Sequence, residues 1–320
     1  MHRFSVLFLI ASATASAAAQ PENYPSHPIR WIVPVPAGSS GDFVTRIVTQ
    51  KIGESWGQQI IIDNRAGGSA IIGSDIIAKA SPDGYTFGTL LTPHVVNPAV
   101  IKNLPYDTQR DFTPITLMVT VPNVMTMYAG VPATTLKDVI ALVKANPGKY
   151  NYGTPGTLTS GHLTMEMLKL AAGIDIAYVP YKGGAPAITD LIGGQIQFLI
   201  SGPPGVLPHI KSGRLKAVGT TALQRLPWLP DTPTFAESGL PGFDTYGWYG
   251  IFAPAKLPRE IVNRLNADIA RVLKLPDIRE KFATQGAIPV GNTPEEFAAW
   301  LKRETDVWGK IAREVGLKAD

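Results

Sequence analysis

The feature that most constrains this 320-residue chain is a local pattern that recurs along it. A short apolar run is followed by a loop of glycine and hydroxyl residues, and the loop opens a run with helical spacing. "IRWIVPVPAGSSGD" (29–42) has this form, as do "YNYGTPGTLTSGHL" (150–163) and "YVPYKGGAPAITDL" (178–191). Apolar runs that alternate with helix-patterned runs mark strands joined by crossover helices. The sequence therefore predicts an α/β fold whose sheets are mostly parallel and flanked by helices. A loop that leaves a strand and opens a helix exposes backbone N–H groups with no intrahelical acceptor. The helix dipole adds about half a positive charge there, so each such turn can hold an anion.

The pattern falls into two units. In the first, residues 29–35 read as a buried strand and a helix is expected from about Asp42, with Val44, Ile47, Val48 and Ile52 on its inner side. A strand at 59–63, a second helix bearing Ile72, Ile76 and Ile77, and a strand within 81–91 follow. The second unit opens with a helix over 134–146, closed by Pro-Gly. It continues as strand and helix in turn through "YNYG", "SGHLTMEMLKLAAG", "IAYVPY", "GGAPAITDLIGG", "IQFLIS", "PPGVLPHIKSG" and "LKAVGTT". Two amphipathic helices end the chain. One carries Ile261, Leu265, Ile269 and Val272 on a stripe. The other opens on a capping box of Thr293 and Glu296 with Pro294 in its first turn, and carries Phe297, Trp300, Leu301, Val307, Trp308 and Ile311. Their apolar faces are expected to pack back onto the first unit.

Composition narrows the function. Hydrophobic residues at 45% against charged residues at 17% describe a chain that buries a large interior and is not disordered. The net charge of +4 is spread without a basic block, so a nucleic-acid footprint is lacking. "MHRFSVLFLIASATASAAAQ" has the basic start, short apolar run and A-x-A site of a secretory leader, with cleavage expected after Ala19 and the periplasm as destination. The apolar run is too short to span a bilayer. With no cysteine, disulfides and thiolate metal sites are impossible.

Gly156 and Gly161 have P-loop spacing, yet the next residues are His162 and Leu163, where that motif needs Lys and Ser or Thr. A triphosphate would lack its countercharge here, whereas a carboxylate needs only N–H and O–H donors. Gly38, Gly41 and Gly156 permit close approach of the backbone. Ser39, Ser40, Thr154, Thr157, Thr159 and Ser160 supply hydroxyls. Each has a plainer alternative: Asp42 and Ser160 as helix caps, His162 as a packed or capping histidine, residues 181–187 as a flexible turn. His162 and Glu166 lie one helical turn apart, but two ligands without a third make no metal site. Neither G-x-S-x-G nor H-E-x-x-H occurs, and no nucleophile accompanies His94 or His162, so the residues mark out no enzyme, no metal and no cofactor.

The segments "YPSHPIRWIVPVPAGSSGD", "DNRAGGSAIIGSDIIAKASPDGYT", "NPAVIKNLPYDTQRDFTPIT", "YGTPGTLTSGHL", "VPYKGGAPAITDLIGGQIQ" and "PDTPTFAESGLPGFDTYGWYGIFAP" occur in this order. Together they resemble the Bug family, the periplasmic solute-binding proteins of tripartite tricarboxylate transporters. The resemblance implies a two-domain periplasmic binding protein of type II, a Venus flytrap. Its domains would be residues 24–127 with 247–320, and residues 128–246, the chain crossing near Tyr128 and returning near Tyr246. It implies a monomer that holds a small carboxylate between its domains and hands it to membrane permease subunits. The ligand residues expected by this resemblance are Gly38, Ser39, Ser40, Asp42, Phe43, His94, Thr154, Gly156, Thr157, Thr159, Tyr181, Gly183, Gly184, Ser201 and Trp248, acting without lysine or metal. Many members carry Asp where this chain has Ser201, a carboxylate suited to an ammonium group. Its absence points to a di- or tricarboxylate or an aromatic carboxylate such as terephthalate, with Phe43, Tyr246 and Trp248 as aromatic walls or, equally, as core or hinge packing. The rival readings are a sensor subunit that presents its ligand to a membrane kinase, and a secreted enzyme on the same scaffold.

Overall fold

In a computed structural model, residues 24–317 are described; the leader read at residues 1–19 lies outside them. The first apolar run forms β1 (Ile29–Val33), and its glycine loop opens α1 (Ser40–Trp56). β2 (Ile60–Asn64), α2 (Ile71–Ala78) and β3 (Thr86–Leu91) follow, with β1 parallel to both β2 and β3. After α3 (Pro93–Val100) come two consecutive strands, β4 (Phe112–Pro122) and β5 (Val124–Tyr128), which belong to different sheets. The change of sheet falls at Asn123, ahead of the expected crossing near Tyr128, because β5 pairs with second-unit strands throughout.

The second unit runs α4 (Leu136–Ala145), β6 (Asn151–Thr154), α5 (Ser160–Ala172), β7 (Ala177–Pro180), α6 (Gly184–Ile192), β8 (Phe198–Ser201), α7 (Pro203–Lys211) and β9 (Leu215–Thr220). The chain returns through β10 (Tyr246–Pro254) and ends with α8 (Arg259–Leu273), α9 (Pro276–Thr284), β11 (Ile288–Pro289) and α10 (Pro294–Glu314). The first sheet has the order β11-β4-β10-β3-β1-β2 and the second β7-β6-β8-β5-β9.

Both sheets are flanked by helices but are mixed, where the sequence pattern suggested mostly parallel ones. The strands that feed helices run parallel, while β10 lies antiparallel between β3 and β4, and β5 antiparallel between β8 and β9. These are the strands by which the chain arrives from the other unit. They enter from the edge where the strand-to-helix loops lie, so they run against their neighbours.

Alternation along β1 shows how the first sheet is covered. Trp31 packs with Val44, Val48, Leu265 and Ile269, under α1 and α8; Ile32, on the opposite face, packs with Val96, Phe252, Phe297 and Trp308, under α3 and α10. The terminal helices thus return to the first unit, and α10 begins with the expected Thr293–Glu296 capping box. Leu158 and Leu163 of the second unit join the cluster of Trp248 and Phe297, so the two cores touch. A buried polar junction ties the crossings together. The Asn123 and Thr221 backbones are linked, the Asn123 amide reaches Ser160 and Thr164, and the Thr164 and Thr245 hydroxyls meet at 2.8 Å.

Candidate functional site

The two sheets turn their strand-to-helix loops toward a shared cavity of about 820 Å³. On the first-unit side, Ser39 rather than Asp42 is the N-cap of α1. Asp42 sits three residues later, and its carboxylate accepts hydrogen bonds from Gly38 N (2.9 Å), Arg46 Nε (2.8 Å) and Asn64 Nδ2 (3.0 Å). Burial alone would raise its pKa, but these donors outweigh burial and hold it below the usual carboxylate range. Asp42 therefore shapes the Gly38–Ser40 turn from behind and does not line the cavity. The Ser40 and Gly41 N–H groups, in the first turn of α1, find no hydrogen-bond acceptor among the described residues.

On the facing side, Thr159 is the N-cap of α5, yet its hydroxyl donates to Gly156 O at 2.7 Å and leaves the helix start uncapped. Thr154 donates to the same carbonyl at 3.0 Å, and the Thr154 and Thr157 hydroxyls stand 3.2 and 3.4 Å from the Tyr178 phenol. His162 stacks on Tyr178 with ring centres 4.1 Å apart, and its Nδ1 accepts from Leu158 N at 3.2 Å. That bond supports Leu158 in a left-handed backbone conformation, φ 61°, rare for a leucine. These groups fold the loop so that Ser160 and Gly161 present N–H groups with no acceptor among the described residues. Only glycine fits at 161: a methyl there would lie 2.3 Å from Ile200 O, so its absence lets α5 close on β8.

Two further helices begin at the cavity. Gly183 caps α6 with φ 113° and donates its N–H to Pro155 O at 2.8 Å, which places Gly184 and Ala185 on the wall. Gly202 caps α7, just after Ser201. Trp248 and Tyr249 of β10 close the first-unit side. Burial pushes the Tyr249 phenol up to about 12, a hydrogen bond with Ser40 opposing it in part, so at neutral pH it remains a donor.

Of the residues singled out from sequence, Gly38, Ser39, Ser40, Gly41, Phe43, Thr159, Ser160, Gly161, Gly183, Gly184, Ser201 and Trp248 line this cavity. Thr154, Gly156, Thr157 and Asp42 stand behind it as loop braces. Tyr181 turns away to donate to Asp190 at 2.7 Å. His94 is a correction of another kind. It lies buried between Phe112 and Phe252, each with its ring centre 4.8 Å away, and burial lowers its pKa to about 3. Thr92, two residues earlier, is on the wall; α3 starts there and carries His94 into the core.

The wall also holds residues the sequence did not single out: Tyr249 and three basic ones, Lys182, His209 and Arg214. Lys182 thus stands on the wall of a site expected to act without lysine. No Asp or Glu among the described residues lines the cavity. Among the described residues no cluster of three or more His, Cys, Asp or Glu is arranged to hold a metal, and no helix is long and apolar enough to cross a membrane.

Residues 44–317 match the model of the tripartite tricarboxylate transporter family receptor, TctC. The chain belongs to this family. Solved TctC-type structures superpose along almost its full length. Periplasmic binding protein BugD does so with a TM-score of 0.86 at 32% identity, over 92% of this chain and 99% of BugD. An R. palustris protein solved with adipate gives 0.88 at 32% identity, over 92% and 99%. MatC from Rhodopseudomonas palustris, with bound malate, gives 0.84 at 29% identity, over 90% and 99%. This TctC chain has the periplasmic binding protein fold and is a solute-binding protein of the Bug type.

Proposed function

We propose that the cavity between the two sheets captures a small organic carboxylate in the periplasm and that the loaded protein delivers it to the membrane subunits of a tripartite tricarboxylate transporter. The observation that carries this reading is the convergence on one cavity, with no acidic side chain among the described residues, of the N–H-bearing starts of α1, α5 and α6, joined by those of α3 and α7, which open on proline. Partner-less N–H groups of Ser40 and Gly41 lie on one side, and those of Ser160 and Gly161 on the other. A carboxylate bridging them satisfies donors from both units at once, which favours a closed arrangement.

The proposed domains are residues 24–127 with 247–320, and residues 128–246, with the first crossing moved to Asn123 to follow the sheets. The loops already meet at the rim, where a methyl added at Gly183 would lie 3.6 Å from Pro36 Cγ. Ser201 lies on the wall without a nearby acid, in keeping with a ligand that carries no ammonium group. Adipate and malate, held by two structural neighbours, are compounds of this kind.

The test is thermal unfolding of the purified protein against benzoate, terephthalate, adipate, malate, citrate, lysine and glucose. A ligand at about 100 times its dissociation constant stabilises by ~2.7 kcal/mol. The reading expects this from one or more acids, with the ligand recovered chemically unchanged. Stabilisation by glucose or lysine and by no acid would overturn it, and turnover of the bound acid would favour the enzyme reading.

A further inference from the structure

The cavity continues past the helix starts along the second unit. α6 lines it with Gly184, Ile188 and Ile192, and α7 with Pro204, Gly205 and His209. At 1.5 Å per residue, α6 follows the cavity for about 12 Å from Gly184 to Ile192, and α7 for about 10 Å from Gly202 to His209. The wall changes character over that length. Amide N–H groups stand at one end and the isoleucine side chains in the middle. His209, with Arg214 just beyond the end of α7, stands at the other.

The far cation, Arg214, is not spoken for within the protein. The Arg214 side chain forms no ion pair or hydrogen bond among the described residues, and no carboxylate lines the cavity to balance it. Basic residues in a last helical turn can serve only to complement the helix dipole. That accounts for Lys211, which is absent from the wall, and equally for His209 in the same turn, but not for Arg214, which follows the helix and reaches the cavity.

We propose that this site selects a dicarboxylate whose acid groups stand at opposite ends of an apolar spacer. The first carboxylate rests on the helix starts, the spacer crosses Ile188 and Ile192, and the second carboxylate meets Arg214 and His209. This rests on the carboxylate-binding reading above and specifies its ligand class as linear α,ω-diacids or para-dicarboxylated arenes. Malate and citrate, whose acid and hydroxyl groups lie close together, would set polar groups against the isoleucines and leave Arg214 unmatched.

Titration calorimetry on the purified protein tests this with adipate, suberate, azelate and terephthalate, the monoacids hexanoate and octanoate, and succinate and malate. The spaced diacids are expected to bind about tenfold or more tightly than the length-matched monoacids, as a charge-assisted contact requires. Arg214→Gln should cut diacid affinity about tenfold while leaving the monoacids unchanged, so that the preference collapses. His209→Gln should narrow the same preference. Arg214 is exposed and unpaired, so its loss leaves the fold intact. Equal binding of mono- and diacids, equal losses for both in Arg214→Gln, or malate binding more tightly than adipate would overturn the proposal while leaving carboxylate capture standing. Failure of every acid to bind would overturn both.

Discussion

Replacing Gly183 and Gly184 by alanine, one at a time, should give opposite results although the residues are adjacent. Gly183 has φ 113° and ψ 171°, a region that is essentially glycine's alone. A methyl there meets only Pro36 Cγ at 3.6 Å, an ordinary contact, so the penalty lies in the backbone and not in a clash. Holding that conformation with alanine costs roughly 1–3 kcal/mol. If the loop relaxes to escape the strain, it gives up the Gly183 N–H bond to Pro155 O at 2.8 Å and moves the start of α6 off the cavity wall. Gly184 is the first residue of α6, without left-handed strain and with nothing within 4 Å of an added methyl. Alanine there reduces unfolded-chain entropy and is expected to be neutral or to stabilise by up to about 0.5–1 kcal/mol. The two variants should therefore differ by about 2 kcal/mol or more, with Gly183→Ala the weaker fold and the weaker binder. Urea unfolding followed by tryptophan fluorescence measures the difference, and titration of the best carboxylate measures the affinity. Equal stabilities for the two alanines would refute the assigned backbone and the argument that this loop is held in one shape.

Asp42→Asn should cost about 2 kcal/mol, the scale for hydrogen bonds to a charged group. It should also flatten the acid limb of stability: with its folded pKa depressed, Asp42 stabilises above the ordinary carboxylate range and loses that effect as pH falls through the folded value, a change read by urea midpoints at several pH values. His94→Phe should leave carboxylate affinity unchanged, since His94 is buried away from the cavity. Its folded pKa of about 3, against 6.5 ordinarily, means the unfolded chain gains the proton first as pH falls. The native protein should then lose up to about 1.4 kcal/mol per pH unit below that ordinary value, a slope the phenylalanine variant lacks in the same titration. Ser201→Asp should weaken carboxylate binding by about 1–3 kcal/mol more than Ser201→Asn does, from repulsion at an effective dielectric near 20; equal affinities by calorimetry would remove position 201 from the site.

Much of the fold is legible in the sequence because local and global preferences agree. The glycine loops after residues 33 and 154 open helices as their spacing implies, and Gly173 stops α5 in the left-handed conformation expected of a C-terminal glycine. The long pair β4–β5 is harder to read, because its run of apolar residues has no period and its change of sheet at Asn123 depends on partners distant in sequence. α3 is masked by Pro98 within it, and α9 is too short to show a periodic face. In the site, the turns were legible and the side chains less so. Thr154 and Thr157 look like ligand donors until Tyr178 is brought beside them. His94 looks available until Phe112 and Phe252 enclose it. Lys182, His209 and Arg214 belong to no motif in the sequence, and only the packing of α6 beside α7 puts them on a common wall.

A crystal structure of the protein with adipate bound tests the central claim most directly. The account predicts a carboxylate whose oxygens stand about 2.7–3.2 Å from N–H groups of Ser40 or Gly41 on one side and of Ser160 or Gly161 on the other. Adipate lodged away from both turns, or held by cationic side chains alone, would contradict it.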